Sequence, residues 1–411
     1  MKKAHPLLII ALSAILFVGC KKELAPDAPQ NQMAEATLSK NKASSKTLSE
    51  QLSYEELKAK LEVLVSQLPA DAHVQMQERM NQLLLTDPQF RQYAQRIIDG
   101  NQYECDNNTS LTQWLTKNLK DWTDFDIFVL SVTDALNYPM YDAWYFENNS
   151  NQYFGAHGEH TIPITHTFRD LKRFWNISSN DIVLAAMHGD MLVDKDKMAR
   201  MIKLVYGTDD SEYANDLADY LVQYIQQPKF DYGNHPIFTF NAFAISTGTI
   251  PGLELLGKIA PKIVMGDGLL QGMDAIGFGD VAPQTFLAHE FGHHIQYQNN
   301  LFQSNLTGAE ATRRTELMAD AFAAYYLSHA RGASMQWKRV KQFLQVFYNT
   351  GDCFFSSNGH HGTPNQRMGA AEWGYSITNN AQKQGHILTS QEFARLFEEK
   401  LPELVAPDYS L

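Results

Sequence analysis

Positive charge is scarce in this sequence. Its 411 residues include 34 Lys and Arg against 46 Asp and Glu, which gives a formal net charge of −12 at pH 7. A surface dominated by acidic groups repels phosphate backbones, so we expect no nucleic-acid partner. The chain also lacks an internal repeat, and beyond its first twenty residues it has no apolar run long enough to span a bilayer.

Cysteine is equally sparse, with three residues in the whole chain: Cys20, Cys105 and Cys353. Cys20 belongs to an N-terminal leader, so only Cys105 and Cys353 can pair inside the folded body. In an exported protein these two can form a disulfide that ties the N-terminal half to the C-terminal half. The alternative is two buried free thiols.

Residues 1–19 have the composition of an export signal. Two lysines precede an apolar run from Pro6 to Val18, which is too short for a membrane span. The end of the run, Phe17-Val18-Gly19-Cys20, resembles the lipobox of bacterial lipoproteins. That resemblance implies acylation of Cys20, a lipid anchor in a membrane of the cell envelope and a folded part outside the cytoplasm. A plain signal peptide cut near Gly19 is the alternative.

The body of the chain divides by composition and periodicity into three parts. Residues 20–51 have almost no large apolar side chains and are predicted to be a flexible tether. Residues 52–179 are predicted to be a mainly helical N-terminal region, in which the HGEH stretch at 157–160 is interpreted as a polar loop. Residues 180–411 are predicted to form an α+β domain, because β-rich runs at 181–192, 236–247 and 262–270 precede helices at 281–299, 308–330 and 334–349.

The segment 287–298, LAHEFGHHIQYQ, contains His289, Glu290 and His293 in the order H-E-x-x-H. Residues four apart on an α-helix differ by about 40° around the axis, so both imidazoles project from one face. This spacing suits two ligands of one Zn²⁺ ion, and Glu290 lies beside the first of them, where a carboxylate can act as general base. His294 lies about 100° or more around the helix from both and is excluded as a ligand.

A catalytic zinc site needs a third protein ligand. A third histidine six residues after the second is ruled out, because position 299 is Asn299. The next predicted helix supplies Glu316, with Asp320 one turn later. We therefore predict Glu316 as the third ligand beside the two histidines, and Asp320 as the acceptor that fixes the tautomer of a ligating histidine.

With these two helices the chain resembles the gluzincin metallopeptidases, whose pattern is H-E-x-x-H followed by E-x-x-x-D. HEFGHHIQ and ELMAD are similar to the bacterial neutral zinc metallopeptidases in particular, and so are NAFA at 241–244 and HGTPNQR at 361–367. The resemblance covers roughly residues 235–375. It implies a zincin-like fold, a Zn²⁺ cofactor and hydrolysis of peptides or proteins.

The sequence also offers candidates for oxyanion stabilisation and substrate binding, and some of them have structural alternatives. His361, which opens the HGTPNQR stretch, is the candidate for stabilising the oxyanion. The same stretch also has the T-x-x-Q capping-box pattern, with Pro364 at the first helical position, and Arg367 fits a structural ion pair equally well. Tyr297 is a weaker candidate near the ligand face, and the backbone of Asn241–Ile245 could bind an extended substrate.

The predicted function is that of an exported, lipid-anchored zinc metallopeptidase, in which Glu290 acts as general base on a zinc-activated water. Two alternatives remain open. The first is a lipoprotein with a binding or assembly role that retains zinc for structure, and the second is a zinc amidase that acts on cell-wall material.

Overall fold

The computed structural model describes residues 54–67, 103, 105–148, 152–247, 258–306, 308–355, 359–380 and 385–407. The predicted export signal, Cys20 and the predicted tether lie outside these ranges. Within them, no helix is both long enough and apolar enough to cross a membrane.

The described part of the region 52–179 is mainly helical, as predicted. Its α-helices are α1 (Tyr54–Ser66), α2 (Ser110–Asn118), α3 (Asp124–Val132), α4 (Tyr138–Tyr145) and α5 (Thr161–Phe174). Local chemistry explains where α3 begins. The Thr123 hydroxyl accepts a hydrogen bond from the amide of Asp126, and the Asp126 carboxylate accepts one from the amide of Thr123.

A small mixed sheet lies at the centre of the chain. Its strands are β1 (Val183–Met187), β2 (Ala242–Ile245) and β3 (Lys262–Gly266), and they follow the order β1-β3-β2. β1 and β3 are parallel, while β2 is antiparallel to β3 and forms one edge. Helices α6 (Lys195–Tyr206) and α7 (Ser211–Ile225) connect β1 to the rest of the sheet.

Two predicted β-rich runs are shorter strands in the structure. The run 262–270 is a strand only as far as Gly266, where the chain turns directly into helix α8 (Asp267–Ala275). Glycine is required at this turn, because a Cβ there would lie 2.2 Å from the Thr239 carbonyl oxygen. The run 236–247 begins with a 3₁₀ turn at Pro236–Thr239, since proline has no amide hydrogen to donate to a strand partner.

The C-terminal half is helical, and the predicted helices 281–299, 308–330 and 334–349 are confirmed. They correspond to α9 (Ala282–Gln298), α10 (Ala309–Ser328) and α11 (Trp337–Asn349), and α12 (Pro364–Asn380) and α13 (Ser390–Leu404) follow. Together with the three-stranded mixed sheet, these helices make the described fold α+β.

Two large hydrophobic cores hold the described elements together. One contains Phe174 of α5 together with Phe322 of α10, and the other contains Tyr138 of α4 together with Tyr220 of α7. Both cores therefore draw side chains from either side of residue 180. The described part of the N-terminal region packs in the same cores as the segment predicted to be catalytic.

A disulfide joins Cys105 to Cys353, with the two Cα atoms 5.8 Å apart. The sequence left open whether these cysteines pair or remain free thiols, and the structure pairs them. The bond ties the segment before α2 to the loop between α11 and α12.

Lys262, the first residue of β3, links the sheet to α4. Its side chain is buried, and its ammonium donates to the carbonyl oxygens of Ala143, Trp144 and Glu147 at 2.8, 2.6 and 2.6 Å. These carbonyls lie at and just beyond the C-terminal end of α4, where helix carbonyls lack partners within the helix. Burial lowers the pKa of Lys262 to about 8, so the ammonium form still predominates at neutral pH.

We expect Lys262→Met to lower the free energy of unfolding by about 3 kcal/mol or more, because three buried carbonyls lose their donor. Urea denaturation at pH 7 measures the loss. Lys195→Met is the matched control, since Lys195 is exposed and makes a surface ion pair with Asp219, which is worth about 0–1 kcal/mol. Equal losses in the two variants would contradict the role given to Lys262.

Candidate metal centre

Three helices approach one another closely because small residues lie between them. A Cβ on Gly292 of α9 would be 3.1 Å from the Cα of Ala319 on α10. On the other side of α10, a Cβ on Gly374 of α12 would be 2.4 Å from the carbonyl oxygen of Ala321. This packing surrounds α10 and brings its polar side chains against those of α9 and α12.

His289, His293 and Glu316 converge between α9 and α10. The Nε2 atom of His289 is 3.3 Å from one oxygen of Glu316, and the Nε2 atom of His293 is 3.5 Å from the other. All three side chains are buried, and their donor atoms lie within 4.8 Å of one another. The group could hold a metal ion.

The other ring nitrogen of each histidine has its own acceptor. Nδ1 of His289 donates to Asp320 at 2.7 Å, and Nδ1 of His293 donates to the side-chain oxygen of Gln296 at 2.9 Å. Gln296 is fixed in turn by its bond to the carbonyl of Thr315. Both Nε2 atoms face Glu316, and in the neutral rings these are the nitrogens free to bind a metal ion, which is the arrangement of a ligating histidine with an oriented ring.

The carboxylate of Asp320 serves two partners. Besides accepting from His289, it forms a two-point ion pair with Arg367 of α12, with nitrogen–oxygen distances of 2.8 and 2.7 Å. Thr363 and Gln366 make the reciprocal bonds of a capping box at the start of α12. Both structural interpretations of the HGTPNQR stretch are thus confirmed, namely the cap and the ion pair.

Burial and neighbouring charges act on the protonation of each group at this centre, with different outcomes. Burial opposes protonation of His289, but Asp320 and Glu316 outweigh burial and raise its pKa. Burial lowers the pKa of His293 to about 4, so this imidazole is neutral, as a metal ligand must be. Although burial disfavours its charge, the surrounding histidines hold the pKa of Glu316 well below its usual range.

Glu290 lies beside this group without belonging to it. Its side chain is buried on α9, and the three donor atoms of the group are those of its neighbours. Burial raises the pKa of Glu290 to about 7, and the positive field of His289 opposes the rise. A carboxyl group with this pKa can both accept and release a proton near neutral pH.

His361 faces the centre from the loop before α12. The Asp352 carboxylate accepts from its backbone amide at 2.9 Å and lies 3.4 Å from its Nδ1 atom. Burial opposes the charge on His361, yet the carboxylates of Glu316 and Asp352 raise its pKa. Gly362, which follows, has a φ of +109° and thus needs the conformational freedom of glycine to direct the chain into α12.

The side chains of His294 and Tyr297, which lie near the ligands in the sequence, form hydrogen bonds to the sheet. His294 donates through Nε2 to the carbonyl of Lys262 at 3.1 Å, in agreement with its exclusion as a ligand. The hydroxyl of Tyr297 donates to the carbonyl of Ala244 in β2 at 3.1 Å. Tyr297 therefore ties the helix of the metal group to the edge strand.

The HGEH stretch is a loop, as its sequence indicated, but one of its histidines is buried and has a carboxylate partner. His157 is exposed, but His160 is buried at the start of α5, and its Nε2 atom is 2.9 Å from Asp274. Glu159, His160 and Asp274 form a second group of suitable donor atoms in the described residues, although both carboxylates are solvent-accessible. Asp274 was missed because it lies 114 positions away in the chain.

Sequence reasoning also missed two residues of the main centre. Gln296 lies one helical turn after His293, so helical spacing alone could have suggested it. Asp352 lies in an irregular loop, and no local pattern connects it to His361.

Comparisons with protein-family models, curated proteins and solved structures found no match for this chain.

Two adjacent buried histidines on α9 allow a direct test of the ligand assignment. We expect His293→Gln to lower the affinity for a divalent metal by at least about 100-fold, because a ligand is lost. His294→Gln should keep the affinity within about threefold, since that ring faces Lys262. Calorimetric titration of metal into chelator-treated protein measures both constants, and the assignment is wrong if the two variants behave alike.

Proposed function

We propose that this chain is a zinc metallopeptidase. The observation that carries the proposal is the position of Glu290, a buried carboxyl group beside two oriented histidines and a glutamate but outside their donor set. A site that only retained a metal would have no need of that carboxyl group. Two imidazoles and one carboxylate form a donor set that suits zinc and leaves a coordination position open.

The chemistry of peptide hydrolysis divides among the residues already described. A bound Zn²⁺ ion would supply a Lewis acid that polarises a carbonyl and makes a water molecule acidic near neutral pH. Glu290 accepts a proton from the attacking water and delivers it to the leaving amine. His361, held by Asp352, donates a hydrogen bond to the oxygen on which negative charge develops.

The edge strand β2 supports an extended substrate. The amide of Gly266 donates to the carbonyl of Asn241, and the register then directs the peptide groups of Ala242 and Ala244 away from β3. Tyr297 occupies the carbonyl of Ala244. The amide and carbonyl of Ala242 face the open edge, where a peptide can add as a further strand.

The resemblance of HExxH…ExxxD and HGTPNQR to gluzincin peptidases supports the same reaction. The lipobox-like leader supports, in this proposal, a lipid anchor at an acylated Cys20 in a bacterial membrane and a folded part outside the cytoplasm. Its substrates are peptides or proteins outside the cytoplasm.

We expect Glu290→Gln to lower kcat for peptide hydrolysis by about 10²–10⁴-fold while the metal content stays that of the native chain. Mass-spectrometric analysis of a mixed peptide library measures turnover, and elemental analysis measures the metal. The amide retains the size of the side chain but cannot accept the proton.

The same experiment separates the rival functions. Retained metal without peptide turnover in the native chain would favour a structural zinc. Turnover of cell-wall fragments but not of peptides would favour an amidase. Full peptide activity in Glu290→Gln would contradict the general-base role.

For His361→Gln we expect kcat to fall by about 10²–10³-fold with KM within about threefold, because the bond that is lost forms mainly in the transition state. Steady-state kinetics on one peptide gives both constants. Parallel metal analysis is the control, since a matching loss of metal would show that His361 acts on the ion instead.

A further inference from the structure

Arg313 on α10 is a buried cation that no carboxylate of the described residues neutralises. Its side chain is 4% exposed, and neither Nε nor Nη1 has a hydrogen-bond partner. It forms no ion pair within the residues that the structure describes. The adjacent Arg314 is equally buried but satisfied, because it pairs with Glu398 and donates to the carbonyl of Leu301 at 2.7 Å.

The surroundings of Arg313 are aromatic. Its guanidinium carbon lies 5.3 Å from the ring centre of Tyr103, and Tyr103 stacks on Phe355 at 4.9 Å. Phe355 lies 4.7 Å from the ring of His360, whose buried Nε2 atom also has no partner. We call Arg313, Tyr103, Phe355 and His360 the Arg313 cluster.

Charge balance makes this arrangement unusual. A guanidinium cannot lose its proton in a protein, and a buried charge without a counterion costs several kcal/mol. A water molecule can accept its hydrogen bonds but cannot cancel its charge. Asp352, the carboxylate bonded to His360, already accepts from His360, His361 and Phe354. Among the described residues, none supplies Arg313 with a carboxylate, and the cluster is therefore a candidate site for an anion.

The Arg313 cluster lies next to the candidate metal centre. Arg313 precedes Glu316 by three residues, which is about 4.5 Å along the helix axis, and the two side chains lie on the same side of α10. His360 is adjacent in the chain to His361. A Cβ on Gly362 would touch Leu317 of α10 at 3.1 Å, which shows how closely the loop lies on that helix.

We propose that Arg313 binds a carboxylate of the substrate and makes the enzyme selective for acidic peptides. The inference rests on the peptidase function proposed above and names its substrate class. Two sources have the required chemistry, namely an acidic side chain and the free C-terminal carboxylate of a peptide. Either would supply the negative charge that compensates the guanidinium of Arg313 and would accept its charge-assisted hydrogen bonds.

The test uses matched peptide pairs on the full chain loaded with zinc. In one pair the C-terminus is a free acid or an amide, and in the other a Glu near the cleaved bond is replaced by Gln. We expect the acidic member of at least one pair to have a kcat/KM at least about tenfold higher, and Arg313→Met should abolish that ratio. Which pair responds identifies the source of the carboxylate.

Arg314→Met is the matched control and should keep the ratio of the native chain. Circular dichroism and metal analysis check that each variant folds and retains its metal, and Arg313→Lys provides a second variant that keeps the charge. The native chain alone is decisive, because ratios of one in both pairs would overturn the inference. An anion supplied by the protein itself would give that result.

A binding measurement separates this inference from the peptidase proposal. Fluorescence anisotropy of the same labelled peptides with zinc-loaded Glu290→Gln requires no turnover. One outcome is that the native chain hydrolyses no peptide, whereas zinc-loaded Glu290→Gln binds acidic peptides selectively and loses this selectivity when Arg313→Met is added. That outcome would support the anion site and refute the peptidase function. Peptide hydrolysis at a rate independent of the charge of the peptide would support the peptidase function and refute the Arg313 inference.

Discussion

The carboxylate of Asp320 is the interaction on which the rest of the centre depends. It accepts from the ring of His289 on α9 and from the guanidinium of Arg367 on α12, while it is itself carried by α10. One fully buried group thus fixes the relative rotation of three helices. A carboxylate in such a position would be costly without partners, and Arg367 supplies the compensating charge.

Close packing makes that interaction possible. Gly292 and Ala319 let α9 and α10 touch, and Gly374 does the same for α12 and α10. Larger side chains would separate the helices and move Glu316 away from the two imidazoles. The glycine in HEFGHH is therefore as much a part of the centre as the histidines that flank it, although it contributes no chemistry.

Local periodicity explains what could be predicted from the sequence. His289 and His293 share a helix face, and so do Glu316 and Asp320, because helix geometry repeats within a few residues. The three helices that follow the sheet were predictable for the same reason. The end of strand β3 could not be predicted in this way. Gly266, its last residue, lies against the carbonyl oxygen of Thr239, and a contact between segments distant in sequence leaves no local pattern.

Long-range contacts explain what was missed. The partnerships of His361 with Asp352 and of His160 with Asp274 depend on how loops and helices are placed by the whole fold. The shared cores have the same origin, because the predicted boundary at residue 180 follows local sequence patterns whereas both cores contain residues from either side of it. No pattern confined to a short window carries that information.

The Cys105–Cys353 bond closes a loop that spans most of the folded body, because its two ends are 248 positions apart in the sequence. If the chain is exported from its N-terminus, Cys105 crosses the membrane well before Cys353. The thiol of Cys105 then stays unpaired until the polypeptide between the two cysteines has been exported. Three cysteines allow three pairings, but a thioether at Cys20 would remove two of them. Lipid attachment at Cys20 would then prevent incorrect disulfides, because Cys105 would be the one remaining thiol with which Cys353 can pair.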